Sequence, residues 1–513
     1  MKDINKDTNK ITNGIIISYL HMFIQIGVQL LYVPILIRYV GREEFGIYNF
    51  VGNFISYILI LNSVFASCVI KFYCEARSNN DENRKIVIVS IARRVFYVIA
   101  LISFFLVVML IPVINYVYSA SFTNWQLKES GYILIVFGVN VIVSIINSVN
   151  FAILMAEQEF VFVKICAIIV NILQPIAVFF AVKYNPYALV IVIVMLAGNL
   201  LLFSAYKLFV ELRLNIQYNI KFYDKTMARK MLCFSATLLI CSLADQLFWR
   251  TGQIVVGYYY GVEAIAVMAV GCQIFMAFLP FGTTISSVYY KKVSDLQSKN
   301  DINKISELFI DVGRMAFLLC FLILSGFIIF GREFIFLWAG EGFDISYLYA
   351  VIVMIPLTLD MIQNLGLVFL QIADKYKFRS HMYLLMSLLN IVVTIIFVRC
   401  IGIIGAAIAT ASSMFVCNVI IMNFYYKIIG INIKLFWKKI FTNFIPLCLY
   451  GVLFYFLLNS YGISDNWNVL IVNIAIYSIF YILCVFVFCL SKGERQKIIK
   501  KLRRCIFLYR DVL

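Results

Sequence analysis

The sequence predicts an all-α integral membrane protein with fourteen transmembrane helices, and three observations lead to this fold class. The 513 residues are 63% apolar and 13% charged, with a mean hydropathy of +0.94, far outside the range of soluble domains. The apolar residues are gathered into fourteen long blocks. The lysines and arginines lie almost entirely in every second gap between those blocks.

Each apolar block has the length of a membrane span. A bilayer core needs about 20 apolar residues per helix, and blocks of that size run from residues 14–37 and 46–70 through to 470–490. The first block lacks a small-residue cleavage site, so we expect it to be retained as a span.

The charge pattern predicts the orientation. Most of the 43 Lys and Arg residues fall on one side if the N-terminus is cytoplasmic, and positive loops stay inside during insertion. Both termini are therefore predicted to be cytoplasmic. The net charge of +17 is explained by this pattern and by a basic tail that contacts anionic lipid, so we expect no nucleic-acid partner.

A short turn motif repeats along the chain. Residues 39–47 and 259–267 share Tyr, Gly and Glu at an offset of 220, and Asn171 and Asn390 share a register of 219. The copies have the same orientation, which predicts two six-helix lobes related by a pseudo-two-fold axis along the membrane normal.

The predicted domains follow from this repeat. Residues 1–210 form an N-lobe with spans one to six, and residues 211–427 form a C-lobe with spans seven to twelve. Residues 428–513 add spans thirteen and fourteen and the basic cytoplasmic tail. The substrate is expected between the lobes.

Polar residues at helical spacing mark faces that avoid lipid. Stripes on spans one, two and four indicate either a water-filled cavity or hydrogen bonds between helices. The residues expected in the cavity are His21, Gln25, Gln29, Asn53, Asn140 and Asn147.

Two aspartates lie near the middle of predicted spans, where a charge costs at least about 2.5 kcal/mol. Asp245 is in span seven, and Asp360 is in span ten beside Gln363, one turn after Pro356. They are candidates for proton or cation coupling, with structural pairing between helices as the alternative.

Enzyme classes are disfavoured. The connections between spans are too short for a catalytic domain, and the chain has only 2 histidines with no metal-ligand spacing and no Gly-rich phosphate loop. We therefore predict no catalytic residue, no metal and no cofactor.

Three segments resemble polysaccharide flippases of the multidrug, oligosaccharidyl-lipid and polysaccharide (MOP) exporter superfamily. They are residues 38–48, 245–250 and 402–409, which are similar to that family's span-one turn, span seven and span-twelve opening. Such proteins often carry a further acid where this chain has Gly252, which leaves Asp245 as the acid of span seven.

The resemblance implies a MATE-like fold and translocation of an undecaprenyl-diphosphate-linked oligosaccharide across the bacterial cytoplasmic membrane, for O-antigen, capsule or another surface glycan. It implies membrane lipids as partners, with a polysaccharide polymerase and glycosyltransferases of the same pathway. A diphosphate needs cations, and Arg offers a bidentate fork. The candidates are Arg38 and Arg250 toward the outer side and Lys71, Arg93, Arg94 and Arg314 toward the inner side, where positive-inside anchoring is the alternative.

Three other functions remain open. A cation-coupled drug antiporter of the same superfamily would favour twelve spans and an acidic, aromatic cavity. A flippase for the peptidoglycan lipid precursor would handle a similar head group and carrier. A membrane glycan polymerase would need a catalytic His, and His21 is more typical of a hydrogen-bonding residue in a polar face.

Overall fold

The computed structural model describes Ile17, His21 and residues 24–214, 224–461, 466–490 and 492–496. Within these ranges the chain is helical, with short turns and no β-strand. The polar segment at residues 1–10, most of the predicted 211–230 linker and most of the basic tail lie outside the described residues.

Twelve of the described helices are long and apolar enough to cross a membrane, so the chain is a multi-pass membrane protein. A shorter apolar helix, α1, precedes them. The helices are α1 (Ile24–Val40), α2 (Arg42–Ser78), α3 (Glu82–Val117), α4 (Asn124–Ala156), α5 (Phe160–Tyr184), α6 (Ala188–Leu212), α7 (Lys225–Val288), α8 (Tyr290–Ser298), α9 (Ile302–Ala339), α10 (Asp344–Met361), α11 (Asn364–Ile372), α12 (Tyr376–Ile401), α13 (Ile403–Met414), α14 (Met422–Ile428), α15 (Ile433–Tyr461) and α16 (Trp467–Cys484), with π-helices at Phe415–Ile421 and Val485–Cys489.

Helix α7 is continuous in hydrogen bonding but contains a sharp kink. Gly261 has φ of 77° and ψ of −171°, a conformation that residues with a Cβ rarely adopt. Gly41, its partner in the sequence repeat, ends α1 with φ of 92° and ψ of 167°. The two copies of the motif therefore build the same backbone turn.

Polar side chains fix several helix starts. Thr123 and Gln126 form a reciprocal capping box at α4, and Asp301 accepts a hydrogen bond from the Lys304 amide at α9. Hydrogen bonds from Lys304 hold the pKa of Asp301 below its ordinary value. Glu44, buried within α2, accepts from the Ala188 amide at the start of α6 with an N to O distance of 2.6 Å.

The helices form two compact units. The first contains Met1–Val270 and Tyr383–Ala406, and its core is built where α4 packs against α2, α3 and α6. The second contains Gly271–Met382 and Ala407–Leu513, where α9 packs against α10, α15 and α16. The sequence-based division at residues 210 and 427 stays a prediction.

Candidate functional site

A strip of polar residues on α7 faces α2 inside the first unit. Asn53 on α2 donates to Gln253 on α7 at 2.5 Å, and both side chains are almost fully buried. One turn away, the hydroxyls of Tyr57 and Thr251 lie 2.9 Å apart. The half-buried guanidinium of Arg250 acts electrostatically on Tyr57. We call these five residues the α7 strip.

Asp245 lies further along the same half of α7, about 24 Å from the Gly261 kink at 1.5 Å per residue. Its carboxylate accepts from the Tyr383 hydroxyl on α12 at 2.7 Å and is otherwise exposed. An ionised carboxylate facing lipid at this depth would be costly, whereas a water-filled cavity would solvate it. The exposure of Asp245 therefore indicates a wet face on α7.

Arg38 and Arg250 lie at different depths. Arg38 is exposed and three residues before Gly41, about 5 Å along the helix. Arg250 is eleven residues before Gly261, about 16 Å along its helix. Arg250 is thus the deeper of the two cations, and the repeat does not relate them.

The other residues expected in the cavity mostly have partners on neighbouring helices. His21 lies 3.1 Å from the Asn171 amide nitrogen, and Asn140 accepts from Asn199 at 2.6 Å. Asn147 keeps a buried side-chain oxygen without a hydrogen-bond partner. On α1, Gln25 is exposed and Gln29 is half-buried.

The predicted inner cations have different environments. Arg93 is buried and donates to Asn150 at 3.1 Å. Arg94, the next residue, is exposed, and the Lys71 ammonium lies over the Phe234 ring at 4.1 Å. Arg314, in the second unit, pairs with Glu494. Since helix partners engage Arg93 and Arg314, exposed Arg94 is the inner arginine with the greatest access.

The second unit contains a separate buried charge cluster around Asp360. Arg379 on α12, only 6% exposed, donates to the amide oxygen of Asn418. The Asn418 side chain also hydrogen-bonds Asp360, and Arg379 acts electrostatically on that carboxylate. Asn418 therefore bridges the two charges, and the hydroxyl of buried Tyr426 lies within their field. We call Asp360, Asn418 and Arg379 the Asp360 triad.

The backbone is irregular at two points around this triad. Helix α10 continues through Pro356 and stops after Met361, and α11 begins at Asn364, so the break falls next to Asp360. Gln363, at the break, is buried with its Oε1 unpartnered. Asn418 sits in the π-helix Phe415–Ile421. Broken helices at mid-membrane depth and π-helices are both frequent at functional sites.

Sequence reasoning missed four of these residues. Arg379 falls near a predicted inner boundary, so the positive-inside pattern absorbed it, and Thr251 and Gln253 were hidden among apolar neighbours. Asn418 had one usable signal, because it follows Asn199 by 219 residues, the same register as Asn171 and Asn390. Within the described residues, no group of three or more His, Cys, Asp or Glu side chains is placed to hold a metal ion.

Comparisons with known proteins give one family and several similar folds. The family model described as "Polysaccharide biosynthesis protein" matches residues 35–347. No curated protein sequence matches the chain significantly.

Among solved structures, the lipid II flippase MurJ in an inward closed conformation aligns with 93% of this chain and 98% of its own, at 17% identity and a TM-score of 0.75. An inward-facing multidrug resistance MATE family transporter of the MOP superfamily aligns with 80% of this chain and 96% of its own, at 11% identity and a TM-score of 0.65. A MOP superfamily transporter from Pyrococcus furiosus aligns with 79% and 94%, at 14% identity and a TM-score of 0.54. At these identities the likeness shows a shared transporter fold.

Proposed function

Since the chain belongs to the polysaccharide biosynthesis protein family, we propose that it is a flippase for an undecaprenyl-diphosphate-linked oligosaccharide. The substrate would pass from the inner to the outer leaflet of the bacterial cytoplasmic membrane and supply a surface polysaccharide such as O-antigen, capsule or exopolysaccharide. A polymerase and glycosyltransferases of that pathway would be its functional partners. The resemblance of residues 38–48 to this family is confirmed by the match.

The proposed topology has fourteen spans with both termini in the cytoplasm. The Gly261 kink divides α7 into two spans, and α1 adds one to the twelve that are long enough without it. The distribution of Lys and Arg supports this orientation. In this arrangement the Gly41 and Gly261 turns lie at the outer surface, and the N-lobe, C-lobe and terminal spans keep the predicted boundaries at 210 and 427.

The observation that carries the proposal is the α7 strip, in which a cation lies deep in a polar, lipid-avoiding face. A diphosphate needs cationic donors at reduced dielectric, and Arg250 offers a bidentate fork there. Arg38 would bind the head group nearer the outer surface. Arg93, Arg94 and Arg314 are the inner candidates, with exposed Arg94 placed to meet the head group first.

The sugars would contact the polar residues that line the proposed path, and alternating access would move them across. We assign that lining to His21, Gln25, Gln29, Asn53, Asn140 and Asn147. Exposed Asp245 and the partly buried Asp360 are the proposed coupling acids. No bond-making chemistry is part of this function.

The test is translocation of a fluorescent undecaprenyl-diphosphate oligosaccharide in proteoliposomes. Arg250→Ala should slow flipping at least about tenfold, because one charge-assisted contact is worth about 1.5 to 3 kcal/mol. Arg332→Ala is the matched control, since Arg332 is a surface arginine whose side chain is 74% exposed and pairs with Asp344. Equal rates for Arg250→Ala and the intact protein would contradict the proposed head-group site.

Two alternatives have specific support. The fold likeness to MATE transporters and the exposed carboxylate of Asp245 favour a cation-coupled drug antiporter, which would expel small cationic dyes and flip no lipid. The likeness to MurJ favours a peptidoglycan lipid-precursor flippase, in which lipid II would compete with the labelled substrate. A glycan polymerase is less favoured, and retention of function in His21→Gln would argue against it.

A further inference from the structure

Three turns of the first unit meet at the side that carries Gly41. Ser121, in the turn between α3 and α4, donates to the carbonyl of Tyr258, just before the Gly261 kink. The hydroxyl of Tyr118 donates to the Ile254 carbonyl at 3.1 Å. The contacts hold the end of the first half of α7 against the α3–α4 turn.

The two copies of the repeated turn also contact each other. Gly46, at the start of α2, lies against Val262, just past the kink in α7. A Cβ placed on Gly46 would come within 2.5 Å of Val262 Cγ1 and closer still to its carbonyl oxygen. Arg42 and Glu263, beside these residues, form an ion pair at 3.6 Å. The close approach therefore depends on glycine at position 46.

The contact is dry. Val262 is 3% exposed and Phe50, one turn beyond Gly46, is fully buried. The Phe50 ring packs against Tyr118 and Phe122 with centroids 4.8 Å apart in both cases. The α7 strip begins at Gln253, about 12 Å along α7 from the kink. An apolar layer thus separates the strip from the Gly41 side.

We propose that this contact is the outer gate of the transporter, closed in this structure, and that Gly46 is the residue that lets it close. The proposal rests on the proposed function for its membrane orientation. Opening to the outside separates Gly46 from Val262 and breaks the two hydrogen bonds to the end of the first half of α7. A side chain at position 46 holds the turns apart, so the open state gains population at the expense of the closed one.

The test measures access from outside to a cysteine below the gate. Thr251→Cys is introduced into the full-length protein in right-side-out vesicles, and its reaction with a membrane-impermeant maleimide is compared with protein lacking that cysteine. Adding Gly46→Val should raise the labelling rate at least about tenfold. Gly52→Val is the matched control, because Gly52 lies on the same helix with open space around it, and it should leave the rate unchanged.

A second pair of variants keeps the test independent of folding at position 46. Arg42→Glu places two acids together and should raise labelling severalfold, and adding Glu263→Arg should return it to the starting value. Unchanged labelling in folded Gly46→Val and Arg42→Glu proteins would overturn the gate. Because the readout uses no transported lipid, it stays decisive even if the flipping assay fails.

Discussion

Two helix contacts at repeat-related positions differ in charge. In the first unit, Asn140 on α4 accepts from Asn199 on α6. Asp360, 220 residues after Asn140, meets Asn418, 219 residues after Asn199, in the second unit. The position of the contact has been kept, but an amide has become a carboxylate. The charged version also has Arg379 as a nearby cation.

The difference shows what a carboxylate requires in a membrane. Two amides satisfy each other with one hydrogen bond and leave α4 and α6 unbroken. Asp360 instead lies beside a helix break and is bridged through a π-helix to a buried arginine. A buried charge is tolerated only with such compensation, so the second unit combines charge with irregular backbone.

The largest expected effect comes from removing the compensating cation. Arg379→Gln leaves Asp360 without its cation and should lower the unfolding free energy by about 3 to 5 kcal/mol. Thermal unfolding in detergent measures this loss. Lys377→Gln, at an exposed position on the same helix, is the control and should change stability by less than about 0.5 kcal/mol. A loss no larger than the control's would mean that Asp360 needs no counter-charge.

A second variant tests whether the two charges act together. Adding Asp360→Asn to Arg379→Gln removes the uncompensated carboxylate, so the double variant should be more stable than Arg379→Gln alone. We expect a coupling energy of about 0.5 to 3 kcal/mol from the double-mutant cycle, measured by the same unfolding assay. Additive losses would show that Arg379 stabilises the helices through contacts other than Asp360.

The smallest effect is expected in the neutral pair. Asn140→Leu removes one interhelical hydrogen bond and should cost about 0.6 kcal/mol, the average for such bonds in membranes. Detergent unfolding checks this value, with Asn147→Leu as the comparison because the Asn147 side-chain oxygen has no partner. A loss as large as that of Arg379→Gln would remove the contrast between the two units.

Much of the fold followed from the sequence because the relevant physics is local. Hydropathy located the spans, and the Gly41 and Gly261 repeat predicted the turn that interrupts α7. The break at residues 362–363 and the π-helix at Phe415–Ile421 could not be predicted, since they depend on packing between distant segments. For the same reason sequence found Asp245 and Asp360 but not their partners Tyr383 and Asn418.

The triad also has a consequence for how the protein is made. Asp360 enters the membrane with α10, and Asn418 is synthesised roughly 60 residues later, which takes about 3 to 12 s at translation rates of 5 to 20 residues per second. During that interval the carboxyl group has no final partner in the bilayer. Spans ten to twelve must then be held by the insertion machinery and released as a set, so biogenesis, and not only transport, constrains this part of the chain.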